Sequence, residues 1–363
     1  MKYIDEFRSR KLTARLAGKI TGIMPGRGVN IMEVCGTHTM SFYRFGLNKI
    51  LPEKLRLISG PGCPVCVSSQ GYIDGAISLA KEKDVAVLTF GDMLRVPGSR
   101  STLERERAAH GSVHTVYSPL DCLRFAKFNP AKKVVFLAVG FETTIPAIAL
   151  TMSLAKKNKV GNLFFLPSLK LIPPAMKHLA KDKKLKIDGF LCPGHVSAII
   201  GSGAYEFIAK KYKIGCCVAG FEPVDMLEGI LFLLHQLREK TPRVDNQYAR
   251  VVLKRGNRRA QRITAKVFAP CDAAWRGLGV IPGSGLKIRK EFFSLDAGKE
   301  FGIDCRPLAI DRQLPKCKCG EVLKGMISPA ECPLFKRSCT PENPYGPCMV
   351  SVEGACNAYY RYR

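Results

Sequence analysis

Short apolar, β-rich runs separated by amphipathic stretches organise the first two-thirds of the chain. The runs lie at 29–34, 55–59, 85–90, 134–139, 163–167, 189–191 and 214–219. Strands that alternate with helical stretches in this way predict an α/β architecture built on parallel sheets. Almost every run ends in a small or polar loop. The runs lead in turn into CGTHTM, GPGCPVC, GDM, GFETT, CPGH and GFEPVD. Open α/β sheets bind ligands in the crevice at the carboxyl ends of their strands, so chemistry is expected in these loops. Gly-Phe-Glu occurs twice in the same context, at 140–142 and 220–222, as a weak internal echo.

The pattern predicts two doubly wound parallel-sheet lobes, 1–125 and 126–245, followed by 246–363 as a connecting segment and a small cysteine-rich region. Within the last part, 246–301 reads as a basic helix and then irregular Gly-rich chain that includes WRGLGVIPGSGL. From Pro315 onward the character changes, with six cysteines and six prolines in the last 49 residues. Such a segment is poorly suited to a conventional core and is expected to fold around a metal.

Composition narrows the setting. No apolar run approaches the roughly 18–20 residues that a membrane span needs, and the start MKYIDEFRSRKL has no signal-like apolar core. A cytoplasmic protein without membrane contact is expected. Fifteen cysteines in 363 residues then suggest metal binding or thiol redox chemistry more than a disulfide framework. Cys122, Cys216, Cys217, Cys271 and Cys305 lie outside any cluster and read as small buried hydrophobes. The net charge of +27 is spread over short runs such as 181–186 and 255–262. It predicts a solvated basic surface that attracts an anionic ligand or acidic partner, not a nucleic-acid binder.

The cysteine spacings carry the chemistry. Cys317, Cys332, Cys339 and Cys356 form C-x14-C-x6-C-x16-C, with Cys319 and Cys348 interleaved. Four thiolates suit a [4Fe-4S] cluster or zinc, and the lack of closely paired knuckles favours iron–sulfur. The two remaining cysteines could form a dithiol, or one of them could belong to the ligand set. Cys63 and Cys66, spaced C-x2-C behind Gly-Pro-Gly, fit a redox pair or half a metal site. Cys35 and His38 share one strand-end loop, as do Cys192 and His195. Each pair fits a metal ligand with a proton carrier, a nucleophile with its base, or a buried thiol beside a loop histidine. Asp92, Glu142 and Glu353 are further candidates for hydrogen bonding or proton transfer.

MEVCGTHTM, SGPGCPVCV, GFETT, CPGHVSAIIG and GPCMVSVEGACNAYY, in this order and spread over 32–360, resemble the signatures of the HypD family of [NiFe]-hydrogenase maturation factors. The resemblance implies a scaffold that works with the small protein HypC to assemble an Fe(CN)2CO unit. Cyanide would come from HypE, and the hydrogenase large subunit would receive the product through HypC. By the same resemblance Cys35 is the iron ligand, and Cys63 and Cys66 are a redox-capable pair near the metal. Cys317, Cys332, Cys339 and Cys356 hold a [4Fe-4S] cluster, with Cys319 and Cys348 as a second thiol pair. Met40 departs from the family pattern, which commonly has histidine there, so no role is carried to it. An iron–sulfur thiol–disulfide oxidoreductase acting on a partner protein is the alternative. It explains the paired cysteines and leaves Cys35 without a task.

Overall fold

The computed structural model describes residues 5–303 and 316–363. Cys305 therefore lies outside the described residues. All seven apolar runs form strands: β1 (Val29–Glu33), β2 (Leu55–Ser59), β3 (Val85–Thr89), β5 (Lys133–Gly140), β6 (Leu163–Leu169), β7 (Gly189–Pro193) and β8 (Gly215–Ala219). Two short strands join them, β4 (Val113–Thr115) and β9 (Val244–Asn246), each at the edge of a sheet.

The expected α/β class with two parallel sheets is borne out. One sheet runs β2-β1-β7-β8-β9 and the other β4-β3-β5-β6, with every neighbouring pair parallel. Sheet membership cuts across the division at 125/126. The chain starts in the first sheet, builds the whole second sheet over β3 to β6, and returns to the first at β7. Each sheet winds outward in both directions from a switch point, between β1 and β7 in the first and between β3 and β5 in the second.

Side-chain alternation along the strands explains the layers. In the first sheet Val29, Ile31, Leu191, Cys217 and Ala219 face the helices Arg10–Ile23 and Pro223–Glu239. Their neighbours Met32, Val34, Phe190, Cys192, Cys216 and Val218 turn the other way into a central core. Val85, Val87, Val135 and Leu137 of the second sheet enter that same core. The reverse face of the second sheet, with Leu88, Phe136 and Phe165, is covered by the helix Ile145–Lys157.

The basic helix is present at Arg258–Val267, where the Asn257 side chain caps the first turn by accepting from Arg259 N and Ala260 N, both at 3.1 Å. The chain after it corrects the sequence reading. It is an antiparallel hairpin, β10 (Phe268–Trp275) with β11 (Gly279–Ile288). The pairing slips between Cys271 and Ala273, where Pro282, Gly283 and Ser284 oppose the single residue Asp272. This bulge and its proline hide the strand pattern. The C-terminal segment also packs more conventionally than expected, since Val322, Leu323, Met349 and Ala355 join the central core.

Trp275 anchors the hairpin. It is fully buried, stacks on Phe141 at 5.9 Å, and donates from Nε1 to Ser284 Oγ at 2.7 Å. Replacing Ser284 with Ala strands that buried donor and is expected to cost about 1–3 kcal/mol. The measurement is the urea midpoint followed by fluorescence of Trp275, the single tryptophan.

Candidate functional site

The switch point of the first sheet brings Cys35 to a defined place. The residue ends the β1 run and is the N-cap of the helix Gly36–Arg44, with extended backbone (φ −148°, ψ 122°). Its sulfur therefore sits at the positive end of a helix, against the His38 backbone N–H and the Thr37 hydroxyl, which favour the thiolate. Burial opposes them, helped by the charge of Glu353, and pushes the thiol up to about 12. Free Cys35 is thus held as a neutral thiol.

Two carboxyl groups flank it. Glu33 is buried, and its Oε2 accepts from Cys35 N at 3.1 Å while Oε1 accepts from the Thr39 hydroxyl. Burial raises the Glu33 carboxyl to about 8. Glu353 arrives from the C-terminal segment and accepts from Thr37 Oγ1 at 2.7 Å. Sequence reasoning missed Glu33; the available signal was an acidic residue closing an apolar strand, two positions before a cysteine.

The Cys63/Cys66 loop is locked onto this site. Gly36 N donates to Gly62 O at 3.0 Å, and Gly60 N to Glu33 O at 2.7 Å. A Cβ on Gly62 would stand 2.6 Å from Val34 C and nearer still to the Cys35 nitrogen, so only glycine fits. Cys66 N donates to Cys63 Sγ at 3.3 Å. The Cys66 thiol, raised by burial, also contacts Cys348. Cys348 is drawn below its ordinary value by its neighbours Cys319 and Cys66, and the Cys66 thiol itself donates to Pro347 O at 3.7 Å. Cys319 in turn bonds Cys317, whose thiol is raised by that bond and by burial. The two cysteine pairs singled out from spacing thus form one continuous line of thiols, Cys63–Cys66–Cys348–Cys319.

That line ends at a small apolar cavity in the C-terminal segment. Cys317, Cys332, Cys339 and Cys356 line it together with Cys319, Cys348, Leu334 and Phe335. Tyr345 N donates to Cys339 Sγ at 3.3 Å, and burial raises both Cys339 and Cys356. Among the described residues no group of three or more His, Cys, Asp or Glu is placed to hold a single metal ion.

The histidines part company. His38 is fully buried and lowered by burial to about 4, hence neutral. Its Nε2–H faces Gly220 O at 2.9 Å and Ala219 O at 3.3 Å, which leaves Nδ1 as an unpartnered acceptor. His195 is exposed and stacks on Phe221 at 4.1 Å, and His38 meets the same ring at 4.8 Å. Cys192 does not accompany His195; it lies inside the sheet against Cys216. Asp92 and Glu142 follow β3 and β5, at the switch point of the second sheet. Asp92 is exposed. Glu142 is buried, raised by burial to about 7, and accepts from Ile172 N at 2.9 Å.

Gly62→Ala is expected to destabilise the protein by about 1–3 kcal/mol through overpacking. Gly26→Ala, at an exposed position with nothing within 4 Å, should change stability by no more than about 0.5 kcal/mol. Paired denaturation curves of the two variants test the difference.

The comparisons with known proteins agree with one another. The family described as "HypD: Hydrogenase formation hypA family" matches residues 11–363. The maturation factor HypD2 of Bradyrhizobium diazoefficiens is 43% identical over 371 residues, covering 100% of this chain and 97% of that protein. HypD of Cupriavidus necator is 43% identical over 371 residues, with the same coverage of 100% and 97%. HypD of Escherichia coli is 42% identical over 370 residues, with 100% and 98% covered.

Proposed function

The chain belongs to the HypD family of hydrogenase maturation factors, and on that premise we propose that Cys35 holds the iron of a [NiFe]-hydrogenase centre under assembly. The carrying observation is the place of Cys35. It lies at a sheet switch point and a helix N-terminus, between two carboxyl groups and directly against the Cys63/Cys66 loop. A soft thiolate suits low-spin iron that carries CO and cyanide. The charge of Glu353 favours the approaching cation. The helix N–H groups favour the anionic cyanide ligands. One thiolate leaves the iron open to a second ligand, which HypC would supply; cyanide would come from HypE, and the product would pass through HypC to the hydrogenase large subunit. The setting is cytoplasmic, in keeping with the free thiols of the described cysteines. Among the described residues no helix is long and apolar enough to cross a membrane.

The donor set around the C-terminal cavity fits a [4Fe-4S] cluster held by Cys317, Cys332, Cys339 and Cys356. Four thiols and apolar walls surround one space, and a backbone N–H already points at a sulfur. When bound, the cluster supplies one-electron transfer. The thiols between it and Cys35 would carry redox equivalents. The Cys348 thiolate attacks Cys66 of a Cys63–Cys66 disulfide, giving a Cys66–Cys348 bond and a Cys63 thiolate. Attack by Cys319 on Cys348 then releases Cys66, so the first pair ends reduced and the second oxidised.

The alternative, a thiol–disulfide oxidoreductase acting on a partner protein, draws on the same line of thiols. Infrared spectroscopy separates the two readings. Protein purified with its small partner should show CO and cyanide bands, and Cys35→Ser should lose them while keeping the complex and the cluster. Undiminished bands in Cys35→Ser would sink the assignment. For the cluster, Cys332→Ala or Cys339→Ala should abolish the iron–sulfur absorption and destabilise the C-terminal segment. Full iron and sulfide in all four single ligand variants would show the ligand set to be wrong.

A further inference from the structure

The hairpin turn between β10 and β11 buries an arginine that has no counter-ion among the described residues. Arg276 is 3% exposed, and among the described residues its side chain is met by the neutral Gln70 Oε1, which accepts from Nη2 at 2.7 Å. Nε and Nη1 are buried without a hydrogen-bond partner among the described residues. A guanidinium remains charged at all accessible pH, and a buried charge is costly unless an anion compensates it. The turn is tightly held. Arg276 N donates to Val67 O at 3.0 Å, next to Cys66. Gly277 has φ +77°, and a Cβ there would collide with the backbone of Gly320, next to Cys319. The charge of Arg276 is felt at both Cys317 and Cys319, where it favours the thiolate.

We propose that Arg276 is the buried counter-cation of the sulfur-centred anion in the C-terminal cavity, and that it raises the reduction potential of the cluster held there. The inference rests on the reading of that cavity as a [4Fe-4S] site. Reduction adds one electron and breaks no bond, so the reduced cluster is the more negative state. A fixed positive charge felt at Cys317 and Cys319 stabilises that state more than the oxidised one. Arg276 does not bind the iron; it is a positioning residue that acts through Cys317 and its neighbours.

The test is a dithionite titration of anaerobically purified protein, read by electron paramagnetic resonance, for wild type, Arg276→Gln, Arg276→Met and Arg276→Lys. The two neutral variants should lower the equilibrium constant for reduction roughly tenfold, a shift of about 59 mV for one electron. Arg276→Lys, which keeps the charge, should stay within about threefold of wild type. Loss of the cluster from both neutral variants, with retention in Arg276→Lys, would also support a charge role. An unchanged potential in a neutral variant that keeps its cluster would overturn the inference, as would loss of the cluster from all three variants. Iron and inorganic sulfide are measured first in wild type. Their absence there would overturn the cluster reading itself and this inference with it.

Discussion

At the switch point of the first sheet, three chain segments meet where there is no room for side chains. A Cβ on Gly62 would press into the backbone of Val34 and Cys35, and one on Gly36 would stand 2.5 Å from Glu353 O. The strand-end loop of β1, the strand-end loop of β2 and the C-terminal segment therefore touch backbone to backbone. Such contacts do not slide, because any shift opens a void or forces a clash in a close-packed interior. Cys35, Cys66 and Cys348 each belong to a different one of these segments. Their relative positions are set by the glycines between them, so the sulfur chemistry depends on a steric fit that involves no sulfur.

Burial then decides the charge state around Cys35. Glu33 near 8, Cys35 near 12 and His38 near 4 are all displaced toward their neutral forms, each chiefly by loss of water. Neutral groups cost less to bury than ions, and the charge of Glu353 beside Cys35 works in the same direction by opposing a thiolate there. Any metal held here would have to offset the cost of deprotonating a buried thiol.

Much of this plan can be read in the chain before folding, and the failures have physical causes. Strands buried on both faces leave continuous apolar runs, and the partly buried edge strand β2 keeps Leu55, Leu57 and Ile58, so all seven were legible, and the loops after them held the candidate residues. The edge strands β4 and β9 have three residues each and no such signature. Sheet membership depends on pairing across long separations. β1 finds β7 after the whole second sheet has been built, and no local pattern encodes that choice. The same limit applies to the site. Glu33 reads as an ordinary polar residue at a strand end, and Arg276 sits in chain that looks irregular because of Pro282, Gly283 and a bulge. Their importance comes from burial, which is a property of the assembled core. Asp92 and Glu142 show the opposite case: strand-end logic groups them with Cys35, yet they follow the strands of the other sheet.

The repeated Gly-Phe-Glu clarifies how the two sheets divide the work. After β8, Phe221 lies against both His195 and His38, and so borders the Cys35 loop. After β5, Phe141 stacks on Trp275, the residue that immediately precedes Arg276. Each phenylalanine fills the equivalent place beyond a parallel strand, and each fixes a different element there. The first sheet presents a thiol at its switch point. The second grips a hairpin whose turn reaches the C-terminal cysteines and brings them a buried positive charge. Electron transfer between the cluster cavity and Cys35 would have to cross the ground between these two deliveries. The thiols of Cys319, Cys348, Cys66 and Cys63 occupy that ground, with Arg276 at one end and the helix N-terminus of Cys35 at the other. Of these thiols Cys348 is drawn below its ordinary value, and the charge of Arg276 works in the same direction at Cys319; thiolate is the form that attacks a disulfide.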